Sequence, residues 1–167
     1  MVLVATAGAA ASFTLWLFWP GYMSWDSADQ WRQALSGEFT DIAPPLMGMI
    51  WRAIGTLVPG PGGMLLLQTV LWWSCIALAV GMTQQGRLLR AVLLLLLLGF
   101  WPALWGVLPH VWKDVWMALA FAGYIAALAV LLPAFGNHGL WAALMVFFGL
   151  RAVTLALRYP ALERAAG

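Results

Sequence analysis

The chain is laid out as long apolar blocks separated by short polar clusters. A helix that crosses the roughly 30 Å hydrocarbon core of a bilayer needs about 20 mainly apolar residues. Residues 1–19 fit a first membrane helix: they are apolar or small throughout, with no Lys or Arg ahead of them to serve as the charged end of a signal peptide. Residues 62–83 predict a second, 91–108 a third, 115–133 a fourth and 140–158 a fifth, the last weakened by Arg151 inside it. Between them, residues 20–61, 84–90, 109–114 and 134–139 read as loops, and 159–167 as a polar tail. Within the first loop, Leu46 to Val58 is apolar around Arg52 but too short to span, and reads as a helix lying in the interface. The expected fold is therefore an all-α integral membrane protein with about five transmembrane helices plus an interfacial helix.

Composition strengthens this picture. Charged residues make up 8% of the chain and hydrophobic ones 64%, against about 25% charged in soluble domains. A net charge of +2 rests on so few ionisable groups that it bears on orientation rather than on a nucleic-acid partner, and none is expected. Arg87 and Arg90 form the densest basic spot in a short loop, which places residues 84–90 on the cytoplasmic side. Counting spans outward puts residues 20–61 and 109–114 on the opposite side, where Asp26, Asp29, Glu38 and Asp41 face only Arg32 between residues 20 and 46. Trp19, Trp25, Trp31, Trp51, Trp101, Trp105, Trp112 and Trp116 fall near predicted span ends and read as interface anchors. The single Cys75 excludes an intramolecular disulfide and reads as packing. The implied location is a membrane, crossed several times.

Candidate chemistry concentrates in the two outward loops. Ser24 or Asp26 can cap a helix, on which Asp26, Asp29, Gln30 and Gln33 would share one face. Such a stripe suits a hydroxyl-rich ligand, and equally a capped surface helix with an Asp29–Arg32 pair; spacing alone does not decide. In the other loop His110, Lys113 and Asp114 are grouped with Trp112 and Trp116. Lys113 can serve an anionic group or snorkel to the interface, and Asp114 can bind or cap the following helix. Arg151 inside a span marks a lipid-phosphate contact or a buried pair, and His138 reads as a loop residue.

The run "PGYMSWDSADQWRQALSGEFTDIAPPLMGMIWR" resembles the first extracytoplasmic loop of bacterial GT-C membrane glycosyltransferases of the protein-mannosyltransferase-like and family-39-like kind. Pro20, Gly21, Asp26, Ser27, Gln30, Gly37, Phe39, Asp41, Pro44, Pro45 and Leu46 match that pattern in order. "GPGGMLLLQTVLWW" and "WKDVWMALAF" are similar to the segments that follow, so the likeness runs to about Tyr159. Ile42 and Ala43 replace the family's Trp-His, and Pro160 replaces an Asn. The resemblance implies the N-terminal half of an enzyme that moves a sugar from a polyprenyl-phosphate donor to an acceptor outside the membrane. It further implies Asp26 as base, Lys113, Arg151 or Arg158 near the leaving phosphate, and Asp29, Gln30, Asp41 and Asp114 as substrate contacts. Enzymes of this kind carry about twice as many spans, so a fragment that lacks a C-terminal half or partner subunit is expected. A need for a divalent metal is left open. The competing expectation is a small non-catalytic helix bundle that binds lipid or a partner protein, built on Gly and Trp packing. A thiol reagent that cannot cross membranes is expected to label a Glu38→Cys variant from the extracytoplasmic side, and labelling from the cytoplasm alone would reverse the topology.

Overall fold

The computed structural model describes residues 1–40 and 45–142, together with 144, 145, 148, 149 and 152. Seven helices are defined: α1 (Val2–Phe18), α2 (Trp25–Ser36), α3 (Pro45–Gly55), α4 (Gly62–Thr83), α5 (Leu88–Gly99), α6 (Pro102–Trp105) and α7 (Lys113–Phe135). No strand occurs among the described residues, so the fold is all-helical.

Helix α4 is the hub, packed against α1, α3, α5 and α7. Its buried positions Leu65, Thr69, Trp72, Ile76 and Val80 recur every three or four residues, with Gln68 and Trp73 widening the covered face. From α1, Ala7, Ala10 and Thr14 meet it with small side chains. Ala91 and Leu95 of α5 and Val115 and Leu119 of α7 complete this core. A second core of Ala34, Met47, Trp51, Met64 and Val111 joins α2 and α3 to the start of α4.

Two helices, α4 and α7, are long and apolar enough to cross a membrane. Half of the most apolar window of α4 is buried, against 17% for α7, so α4 is central and α7 peripheral. The outer face of α7 is apolar all the same, with Met117, Phe121 and Ile125 exposed at four-residue spacing. Helices α1 and α5 are apolar but shorter.

The expected third span, 91–108, is not one helix. Helix α5 starts three residues earlier and stops at Gly99, and Pro102 opens the four-residue α6. Proline lacks the N–H that a continuing helix would use and disfavours helical geometry in the residue before it, here Trp101. The fourth apolar block, 115–133, forms one helix, α7, which reaches Phe135 with Pro133 tolerated in its last turn. Of the expected fifth span, residues 140–158, most lie outside the described residues, although residues 137–142 are helical. His138, expected in a loop, is exposed within that helical segment.

Of the tryptophans expected as interface anchors, Trp19, Trp25 and Trp101 are exposed, whereas Trp51 and Trp105 are drawn into the bundle. Trp51 is fully buried, donates to the Gly60 carbonyl at 2.9 Å and lies against Trp31. Trp73 and Trp105 both donate to the buried Thr14 hydroxyl, at 3.3 and 3.1 Å, while Thr14 donates to the Ala10 carbonyl. Trp72 donates to the Gly99 carbonyl at 3.1 Å. Gly99 has to be glycine, because a Cβ there would stand 2.1 Å from the Trp73 ring. Replacing Thr14 by Val removes one acceptor from two indoles, and a buried donor left unpaired costs about 1–3 kcal/mol. Reversible unfolding in lipid-like micelles should show Thr14→Val destabilised by that amount, and Thr6→Val, which loses only an exposed bond to its own helix, nearly unchanged.

Candidate functional site

The two loops expected on the outer side meet at one end of the bundle. Tyr22 and His110 form an isolated bridge, in which the Tyr22 N–H donates to Pro109 at 2.9 Å and the Val111 N–H donates to Tyr22 at 3.0 Å. The approach depends on Gly21, whose φ of 99° is open to glycine and strained for other residues. A Cβ at that position would also stand 3.2 Å from the Pro109 oxygen. From α4, the Gln68 amide donates to the carbonyls of Leu108 and His110. From α2, the Ser27 hydroxyl donates to the carbonyl of Val111.

Ser27 owes its position to local capping. Ser24 is the N-cap of α2, its hydroxyl accepting from the Ser27 N–H at 3.2 Å, while the Ser27 hydroxyl accepts from the Ser24 N–H at 3.3 Å. This reciprocal arrangement satisfies donors that a helix start leaves open. It settles the choice between Ser24 and Asp26 in favour of Ser24, and it leaves the Asp26 carboxylate free of the cap.

Between the starts of α2 and α7 lies a cleft of about 310 Å³, lined by Ser24, Trp25, Asp26, Ser27 and Gln30 on one side and Trp112, Lys113 and Asp114 on the other. That volume is at the lower end of the roughly 300–1,000 Å³ common for small-molecule sites. Asp26, Lys113 and Asp114 are exposed, whereas Ser27 and Gln30 are buried. Two helix N-termini converge here, each with a partial positive charge. The cap residue of α7, Trp112, offers no side-chain acceptor, so its first-turn N–H groups have no cap of that kind. Asp114, an expected cap, lies instead in the first turn of α7. One ammonium, two carboxylates and two helix starts therefore share one small space, and none of the three charged side chains is in an ion pair with another described residue.

The expected polar stripe on α2 divides. Asp26 and Gln30 line the cleft, but Asp29 accepts from Arg32 at 3.0 Å and from the Gln33 amide at 2.7 Å. Gln33 in turn bonds the backbone N–H and the hydroxyl of Thr40, both at 3.0 Å. Asp29 and Gln33 thus fasten the chain that leaves α2 and do not line the cleft, so of the two readings open for Asp29 the Arg32 pair is the one formed. His110 does not line the cleft either; its ring packs between Tyr22 and Trp112, with centroids 5.3 and 4.6 Å away. Asp41, Arg151 and Arg158 lie outside the described residues. Sequence reasoning missed Ser24, Trp25 and Trp112 as cleft residues and Gln68 as the loop's support. The Ser24 and Ser27 pair, spaced as a cap and its third helical residue, was the available signal; Gln68 inside an apolar span was another.

Among the described residues no three His, Cys, Asp or Glu side chains group as metal ligands would. No protein-family model, curated protein or solved structure matches the chain. Ser27→Ala removes both the cap contact and the bond to Val111, and is expected to cost about 1–3 kcal/mol. Measured by the same unfolding method, Ser36→Ala should change little, since Ser36 makes only local bonds at the exposed end of α2.

Proposed function

We propose that the chain is a multi-pass protein of the bacterial inner membrane and a glycosyltransferase that acts on the extracytoplasmic side. The donor is a sugar linked to polyprenyl phosphate. The observation that carries this reading is the shared cleft, in which Asp26 from the first loop and Lys113 from the second line the same 310 Å³ space.

The chemistry asks for two opposite charges in that arrangement. As an acceptor hydroxyl attacks the anomeric carbon, its proton passes to a carboxylate within hydrogen-bond reach, and Asp26 is the base. The new bond joins the acceptor oxygen to the anomeric carbon; the bond between that carbon and the phosphate oxygen breaks, and its electron pair leaves with the polyprenyl phosphate. Charge growing on the phosphate is offset by the Lys113 ammonium and by the start of α7, where free N–H groups favour anions. Asp114, which lines the same cleft, is placed to contact hydroxyls of the substrate. The resemblance of residues 20–52 to the GT-C loop adds support that is independent of this geometry.

Transfer from polyprenyl-phosphate sugars to membrane or peptide acceptors, followed in proteoliposomes, tests the proposal. Asp26→Asn should lower the rate by about 100-fold or more, the usual contribution of a positioned base. Lys113→Met should lower it by a similar factor, while Glu38→Gln, on the exposed side past α2, leaves it unchanged. If no polyprenyl-phosphate sugar is consumed, the chain is a membrane-embedded helix bundle instead. The apolar groove of about 700 Å³ between α1 and α4, lined by Ala7, Gly8, Ala11 and Gly81 among others, belongs to that reading.

A further inference from the structure

Gln30 is the least expected residue of the cleft. Its side chain is 3% exposed, it lines the cleft behind Asp26, and its Oε1 has no hydrogen-bond partner. Across the cleft the buried indole Nε1 of Trp112 has none either. A buried amide oxygen or indole N–H without a partner costs about 1–3 kcal/mol; such atoms occur elsewhere among the described residues, at Gln68 and Trp116 among others, but Gln30 and Trp112 are the two whose residues line the cleft. One is an acceptor only and the other a donor only. A hydroxyl is the small group that answers both, since it donates one bond and accepts others. Charged ligand groups do not fit this part of the cleft: a carboxylate or phosphate oxygen would face the Gln30 oxygen without a proton to offer it.

We infer that Gln30 and Trp112 form a hydroxyl-recognition subsite that holds one ring hydroxyl of the sugar while its phosphate lies toward Lys113. This deepens the glycosyl-transfer reading and rests on it for the choice of a sugar as the bearer of the hydroxyl. The subsite sets specificity. Where a buried pair is built to bond a hydroxyl, a ligand without it leaves both partners unpaired and is rejected far more strongly than one that differs by a methylene. Trp112 is also held by its contact with His110, so the donor is positioned by the same segment that closes the cleft.

The test uses the full chain in lipid nanodiscs, free of sugar-headed detergent, with thermal unfolding as the readout. The probes are the 1-phosphates of glucose, mannose and galactose, and inorganic phosphate. At least one hexose 1-phosphate should raise the unfolding temperature more than inorganic phosphate does. Its apparent Kd should rise at least tenfold in Gln30→Leu and in Trp112→Phe, and stay unchanged in Glu38→Gln. Without ligand, Gln30→Leu should unfold at the same or a higher temperature than the wild type, because it removes an unpaired polar group; Trp112→Phe, which keeps a ring in place, guards against a folding defect in the first variant. A marked drop for ligand-free Gln30→Leu would show that the amide is a structural contact and overturn the subsite. Equal protection of wild type and both variants, or equal protection by phosphate alone, overturns the subsite and leaves the phosphate-linked reading standing. Absence of protection by every hexose 1-phosphate overturns the subsite and the sugar-phosphate reading together.

Discussion

Four consecutive carbonyl groups, from Leu108 to Val111, have to be satisfied at the edge of an apolar bundle, and this end of the molecule is organised around that need. Gln68 takes those of Leu108 and His110, the Tyr22 N–H takes that of Pro109, and the Ser27 hydroxyl takes that of Val111. Each donor comes from a different part of the chain: α4, the loop after α1, and α2. A carbonyl without a partner in surroundings of low polarity is expensive, so the segment has one place to go and the donors have one place to be. The cleft is the by-product, because seating the segment brings the start of α7 opposite the start of α2.

The same economy of polar contacts governs the interior. Apolar side chains in an apolar environment give little orientational information, and van der Waals packing between helices is tolerant of rotation. Indole N–H groups supply direction. Those of Trp73 and Trp105 converge on Thr14, tying α4 and α6 to α1, and that of Trp72 reaches the end of α5 at Gly99. Around them Phe13, Phe100 and Trp105 meet edge to face or stacked, with ring centroids 5.2 to 6.4 Å apart, the offset arrangements aromatic rings prefer. Tryptophan is thus divided between this internal framework and the surface, where Trp16, Trp19, Trp25, Trp101 and Trp141 are exposed.

How much of this could be read in advance differs from element to element. The long apolar helices α4 and α7 and the capped α2 were legible, since length and a Ser cap are local properties. Counting helices put residues 20–61 and 109–114 on the same side but not in contact; the hydrogen bonds of Tyr22 with Pro109 and Val111 are what join them. The break of the third apolar block was not drawn, although Pro102 was in view: averaged hydropathy counts Trp101, Pro102 and Ala103 as acceptable membrane residues and is blind to the missing N–H. Asp29 illustrates the other limit. Helical periodicity puts it beside Asp26 and Gln30, yet whether it serves a ligand or its neighbours depended on where Thr40 and Arg32 would lie. That Gln30 and Trp112 line one cleft could not be read from sequence at all, because only the fold brings α2 opposite the start of α7.

The early end of α5 changes how that helix is held. Its 12 residues rise about 18 Å, against about 33 Å for the 22 residues of α4. The apolar surface does not stop with the helix, since Trp101 and Leu104 are exposed beyond it. What stops is the ladder: carbonyls of the last turn lose the N–H groups that a continuing helix would bring. The Trp72 indole takes the one at Gly99, so the interruption becomes an anchor point where α4 grips α5 by its end.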